Sequence, residues 1–370
     1  MELSNRAPGK SAAPSRREVL AAGAAGVVAA WAAPSILSTP AAAAATAPPE
    51  VLVLLAGGFS RYVILSDLGT YRRSVDDGNT WTSPTTPPPF VATHLAGDTN
   101  GFVAADATGL WSRSIDSAAT WSAPATPPPF APALLAGSAG FFLAMSVAGV
   151  YSRSAFNANT WSAPATPPPF TAVMIDGDAS NFIAMNASGA YSRSTDLGNT
   201  WSAPTTPPPF TAVTIDGDAS NFIAMDATGA YSRSTDLGNT WSAPTTPPPF
   251  TAAALAGGTT GYVAGGASGA WARSIDAGNT WTSPTTPPPS GPLLVTGTGV
   301  SYVTALAGGA YRRTDDAGLT WIAPTSPPPF TAAFLAGMGF NFVASDGLGG
   351  YRITTDNGIT WAAPVAPPPF

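Results

Sequence analysis

An all-β fold, a β-propeller of eight four-stranded blades of 40 residues each, is what the 370-residue sequence predicts. Three observations point there. One 40-residue unit recurs from Val51 onward, in windows that begin at Val51, Val91, Ala131, Thr171, Thr211, Thr251, Gly291 and Thr331, with no insertion or deletion between them. Each unit carries short apolar runs bounded by Gly, Asp, Asn or Pro, as antiparallel strands and their turns do. No window holds helical periodicity long enough for a helix. Repeats of this length with several strands read as propeller blades, because a small sheet covers its faces by stacking on copies of itself.

The unit 211–250, TAVTIDGDASNFIAMDATGAYSRSTDLGNTWSAPTTPPPF, shows the elements in order. AVTI is a first strand and DGDASN a first turn. FIAM is a second strand and DATG a second turn. AYSRS is a third strand, TDLGN a third turn, and TWSAP opens a fourth strand. The proline run that follows cannot donate to a ladder. It reads as a stiff, extended connection to the next blade.

Two glycine columns are expected at turns, where positive φ carries no steric cost. One occupies the seventh position of every unit, from Gly57 and Gly97 to Gly337; the other runs Gly69, Gly109, Gly149, Gly189, Gly229, Gly269, Gly309 and Gly349. Every second strand opens on an aromatic, from Tyr62 and Phe102 to Phe342, and every fourth carries a tryptophan, from Trp81 and Trp121 to Trp361. These rings are expected to pack between blades.

The segment STDLGNTW, Ser234–Trp241, resembles the Asp-box, the bacterial neuraminidase repeat, and the other seven units carry a version of it. Its aspartates are Asp76, Asp116, Asp196, Asp236, Asp276, Asp316 and Asp356. Their expected role is structural: a carboxylate accepting backbone N–H groups across a hairpin turn. Two copies depart from the pattern. Ala118 replaces the glycine of the second box; Phe156 and Ala158 replace the aspartate and glycine of the third. Asp-box propellers include sialidases, other glycoside hydrolases, sortilin-type receptors and photosystem II assembly factors.

Sialidase chemistry needs a Tyr–Glu nucleophile pair, an Asp acid and an arginine triad. Residues 51–370 contain no Glu, and His94 is the only histidine. Their arginines recur one per unit before each box (Arg73, Arg113, Arg153, Arg193, Arg233, Arg273, Arg313), which suits a rim or strand-pairing role. No catalytic residue is assigned. The expected function is a non-enzymatic binding or scaffold module for a glycan or another protein, with a multivalent lectin as one form of it. The alternative is a sialidase-like glycoside hydrolase. The candidate contact face holds the second turns, with Asp106, Asn186, Asp226 and Asp346, together with the proline runs and Phe90, Phe130, Phe170, Phe210, Phe250 and Phe330. The one cofactor considered is calcium, at Asp176, Asp178, Asp216 and Asp218, with turn capping as the plainer role for these acids.

The N-terminal residues 1–45 resemble a twin-arginine export signal. Arg16 and Arg17 precede a weakly apolar Ala/Gly stretch, and Ala43 and Ala45 fill the small-residue positions for cleavage. A short linker, 46–50, then leads to the propeller at 51–370. From Thr46 onward there are 11 Arg, no Lys and 19 acidic residues, a net charge of −8. Such a surface argues against nucleic acid and anionic membranes as partners. No stable membrane span is expected after cleavage, and a monomer is expected. Cysteine is absent, so stability must come from packing. The expected location is periplasmic or extracellular.

Overall fold

The computed structural model describes Val28–Ala29 and residues 52–365, apart from 59–60, 99–100, 139–140, 155–156, 179–180, 219, 259–260, 307, 339 and 349. Arg16, Arg17 and the expected cleavage site lie outside the described residues. Each 40-residue unit forms one antiparallel sheet, with its strands in the order inner, middle, outer. In blade 5 these are Ala212–Asp218, Asn221–Asp226 and Tyr231–Ser234. Val28–Ala29 pairs in parallel with Ile175–Asp176 beside the inner strand of blade 4.

The expected fourth strand is not formed. In its place each outer strand makes one bridge to the segment after the box, as between Arg233 and Ser242 in blade 5. Two backbone hydrogen bonds make that bridge, at 2.8 and 2.9 Å. Pro244 then has no N–H to continue the ladder. The chain instead crosses to the following blade. Thr246 donates to the Asn279 carbonyl at 3.2 Å, and its own carbonyl accepts from the Trp281 amide at 2.9 Å. The fourth segment is therefore a strap that ties one blade to the box of the next.

The seventh-position glycines are also placed differently from expectation. They lie inside the inner strand rather than in a turn. Gly217 pairs with Phe222 across the hairpin, and a Cβ on Gly217 would sit 2.6 Å from Phe222 Cδ1. The glycine leaves room both for the ring and for the facing Asn221 main-chain carbonyl, which comes closer still, and the strand runs on to Asp218. The second column does occupy turns: Gly229, for instance, has φ +91°.

Middle strands are buried on both faces, because alternate residues serve opposite neighbours. Phe222 and Ala224 join the cluster shared with blade 4, whereas Ile223 and Met225 join the one shared with blade 6. Clusters of this kind join every pair of consecutive blades. One also joins blade 8 to blade 1, where Leu52, Tyr62, Ile64 and Trp81 meet Phe334, Val343, Tyr351 and Ile353. The ring closes there by side-chain packing, as each unit supplies its own three strands. The tryptophans pack between blades as expected. Trp241 stacks at a tilt on Tyr191 of blade 4, with centroids 6.2 Å apart, and Trp81 does the same on Tyr351 at 6.0 Å.

The box glycine faces a side chain of the middle strand of the preceding blade. A Cβ on Gly238 would collide with Ile183 Cδ1, and one on Gly278 with Ile223 Cδ1. In the two boxes that carry alanine instead, Ala118 packs with Val63 and Ala158 with Val103. Valine lacks the terminal methyl that fills this space in isoleucine, although Gly78, Gly318 and Gly358 also face valines, whose methyls would lie 2.9, 2.6 and 2.9 Å from an added Cβ. We expect Gly238→Ala to lower stability by about 1–3 kcal/mol through overpacking. Combining it with Ile183→Val should cost clearly less than the sum of the two single changes. Denaturant midpoints of the four chains measure this; strict additivity would break the link between the two positions.

Candidate functional site

Two sets of turns define the two ends of the blades, and in both the polar side chains are spent on the turns themselves. The box turn needs two successive residues at positive φ, which Leu237 and Gly238 supply at 63° and 73°. The aspartate holds that shape. Asp236 Oδ1 accepts from the Thr240 and Asn239 amides at 2.8 and 3.1 Å, and Oδ2 accepts from Thr240 Oγ1 at 2.7 Å. Ser234 Oγ donates to Asp236 Oδ1 at 2.8 Å and accepts from the Gly238 amide at 3.0 Å. Burial acts to raise the Asp236 pKa, but the bonds from Thr240, Ser234 and Asn239 outweigh it and hold it below the ordinary value. The same shift applies at Asp76, Asp116, Asp196, Asp276, Asp316 and Asp356. The Trp241 indole N–H donates to the Gly238 carbonyl at 3.0 Å and locks the ring over the turn.

The third box keeps its backbone shape without the aspartate. Asn157 and Ala158 have φ of 64° and 52°. Ser154 Oγ, with no carboxylate to serve, donates to the Thr160 carbonyl at 2.8 Å.

The second turns, at the opposite end, repeat this logic with a different residue. Asp226 Oδ1 accepts from the Thr228 and Ala230 amides, both at 2.8 Å. Asn186 Oδ1 accepts from the Ser188 and Ala190 amides, and Asp106 Oδ1 from those of Thr108 and Leu110. Asp346 Oδ1 accepts from Leu348 and Gly350 at 2.7 and 2.8 Å. Hydrogen bonds to the charged form lower the Asp226 and Asp106 pKa values against the opposing effect of burial. These four residues thus share one end of the blades, as the sequence suggested, and each caps its own hairpin. The phenylalanines assigned to this face are half-buried: Phe210 and Phe250 pack against the inter-blade clusters. Beside them, the Tyr191 hydroxyl donates to the Phe210 carbonyl at 3.0 Å and accepts from the Ala212 amide at 3.1 Å. That tyrosine pins the connection into blade 5, a role the sequence reading missed.

Five of the seven repeated arginines bond to the next blade, whereas Arg313 pairs with Asp315 of its own blade at 3.1 Å. Arg233 Nε donates to the Ala277 carbonyl in the next box at 2.9 Å, and Arg73 and Arg273 bond likewise to Ser117 and Ala317. His94 is half-buried on an inner strand, with Nε2 3.4 Å from the Ala133 carbonyl of the next blade. Burial lowers its pKa, partly offset by that carbonyl. Asp176 and Asp216 lie within inner strands, opposite Ile183 and Ile223, and not in turns. Asp176 is 1% exposed. The Asp178 and Asp218 side chains are outside the described set. Among the described residues, no group of three His, Asp, Glu or Cys side chains is placed to hold a metal ion.

No family model matches the chain, and no curated protein matches it either. Solved structures do share the architecture. The computationally designed Ika8 protein aligns with a TM-score of 0.61 at 12% identity, over 83% of this chain and 96% of its own. A GH74 xyloglucanase from Xanthomonas campestris aligns at 0.50 and 14% identity, over 87% of this chain and 68% of its own. Ycf48 from Cyanidioschyzon merolae aligns at 0.47 and 16%, over 73% and 95%. At these identities the likeness to the first two is one of fold alone, and the alignment at 0.47 adds nothing to it.

Asp236→Ala should destabilise the chain by about 1–2 kcal/mol, the loss of charge-assisted bonds at a solvent-facing turn. Asn157→Ala, in the box that has no carboxylate, should cost less. Chemical denaturation of both variants measures the difference. An unchanged midpoint for Asp236→Ala would show that the carboxylate is not what holds the turn.

Proposed function

We propose that this chain is an exported, non-enzymatic β-propeller that acts as a binding or scaffold module for a glycan or a polypeptide. The observation that carries this reading is how the repeated polar groups are used. The box aspartates and the second-turn residues Asp106, Asn186, Asp226 and Asp346 are committed to capping their hairpins. Arg73, Arg153, Arg233 and Arg273 are committed to neighbouring carbonyls. A sialidase-like site would need arginines and carboxylates converging on one substrate. What remains displayed is a ring of short turns and half-buried phenylalanines, which suits weak contacts repeated from blade to blade and strengthened by multivalency.

A glycan array and a peptide array probed with the purified chain test this. The expected result is saturable, weak binding, with more than one equivalent of ligand per chain and no turnover of the bound ligand. Hydrolysis of a bound glycan would move the reading to the glycoside hydrolase class.

Export by the twin-arginine route is the accompanying proposal, supported by Arg16 and Arg17 ahead of the Ala/Gly stretch. Changing both to lysine should retain the precursor in the cytoplasm, measured by fractionation and immunoblot. Undiminished export of that variant would remove the proposal.

A further inference from the structure

In a chain this repetitive, departures from the repeat carry information. The second turn reads Asn-Ala-Ser-Gly-Ala at 186–190 and Asp-Ala-Thr-Gly-Ala at 226–230. Blades 6 and 7 follow with Gly-Ala-Ser-Gly-Ala and Leu-Ala-Gly-Gly-Ala, whose one large residue, Leu306, is fully buried. Blades 8, 1, 2 and 3, consecutive around the closed ring, differ. At this turn they carry Leu348, Leu68, Leu110, and Val147 with Val150. Each is exposed: Val147 by 84%, Leu68 and Leu348 by 64%, Leu110 by 53% and Val150 by 51%. Val91, 48% exposed, extends the series, because its Cγ2 lies against Gly69 of the blade 1 turn. The matching position in four other units is threonine, at 171, 211, 251 and 331.

Single exposed aliphatic residues are ordinary on a protein surface. Their grouping at the second turns of four consecutive blades is not, and a clustered exposed apolar surface marks a contact site. In the other half, the exposed aliphatics of this end, Val213 and Leu293 at 43% and 39%, sit at inner-strand starts and not in the turns. Strand order places these turns together: the middle-to-outer connection of every blade leaves the sheet at the same end. The Leu52 amide confirms the junction, donating to the Gly347 carbonyl of the blade 8 turn at 3.0 Å.

Charge selects the occupant. The same four turns carry Asp67, Asp106 and Asp346 and no Lys or Arg. The cations on the adjoining outer strands, Arg72 and Arg352, donate to the Tyr71 and Tyr351 carbonyls. A second copy of the chain, joined through the same arc, would set these acids against their own counterparts. An anionic bilayer would be repelled by them. A segment with basic residues between its apolar ones meets both requirements. The anchors are spaced blade by blade along a curve, which an extended backbone follows more readily than a straight helix. We infer that the arc from blade 8 to blade 3 is a docking surface for an extended segment of another protein. That segment presents aliphatic or aromatic side chains interspersed with Lys or Arg. The inference rests on the binding-module reading above and names its face and its partner chemistry.

The test uses a fluorescent 16-residue peptide of alternating Leu and Lys, and a counterpart with Glu in place of Lys, titrated against the purified chain by anisotropy. The Lys peptide should bind saturably, and more weakly as salt rises. The triple variant Leu68→Ser, Leu110→Ser, Val147→Ser should bind it at least tenfold more weakly with an unchanged denaturation midpoint, since all three positions are exposed. Ile275→Ser with Phe340→Ser, exposed positions at the opposite end, should leave binding unchanged. Equal binding of the Glu peptide overturns the inference, as does undiminished binding by the triple variant. Concentration-dependent self-association that the triple variant abolishes would assign the arc to a second copy instead. If an array ligand binds the triple variant as well as the unaltered chain, the binding module stands and this surface assignment falls.

Discussion

Every blade in this ring is built on a three-stranded sheet with two apolar faces, and among the described residues no helix or second layer covers either. Only the neighbouring blades can do so. The middle strand makes the requirement plain, since its successive side chains enter different interfaces: Phe222 toward blade 4, Ile223 toward blade 6. A terminal blade in an open stack would leave one such face in water. The contact of Trp81 with Tyr351 removes that exposed end, and the glycine columns, the straps and the box turns all serve to bring the sheets close enough for it.

The inter-blade seams are built from three independent ties. Apolar clusters supply the bulk of the contact. The strap contributes main-chain hydrogen bonds to the following box, and at Arg73, Arg113, Arg153, Arg233 and Arg273 the outer-strand arginine adds a side-chain bond to a carbonyl in the same box. This overlap explains how the third blade keeps its turn after losing its aspartate. In that box the Asn157 carbonyl still receives Arg113 Nη1 at 3.1 Å, and the Trp161 amide still donates to the Thr126 carbonyl. The junction from blade 8 to blade 1 is built differently. Ile353 stands where the arginine would be, and Asn341 donates to Asp77 Oδ1 at 2.6 Å. The amide of Val365 donates to Asn79 Oδ1 at 3.3 Å.

Much of this was legible in the sequence because it is local or periodic. The 40-residue period, the turn role of the second glycine column and the hairpin clamp by Asp236 depend on residues within a few positions of one another. The aromatics could be assigned to interfaces because eight equivalent rings need eight equivalent burial sites. What escaped the reading depends on partners far along the chain. TWSAP looks like the start of a strand until Pro244 is seen to end the ladder and Thr246 to pair beyond the blade. The destination of Arg233 is a carbonyl 44 residues away, which no local pattern specifies. Asp-Gly-Asp at 216–218 has turn composition, yet it is strand, because Gly217 lets the facing strand's Asn221 carbonyl and Phe222 ring come close. The exposed aliphatic turns were visible as letters, but their adjacency depends on blade 8 lying beside blade 1.

A ring whose units each keep all three of their own strands has a bearing on how such a chain changes length over generations. Where a last blade borrows a strand from the opposite terminus, gain of a unit must preserve that exchange. Here a duplicated stretch of one period brings a whole sheet, the box that receives the strap before it and the strap that reaches the box after it. The near-identity of 171–210 and 211–250 is the kind of trace such a copying event leaves. What resists it is geometry rather than connectivity: the angle at which neighbouring sheets meet fixes how many can complete a circle.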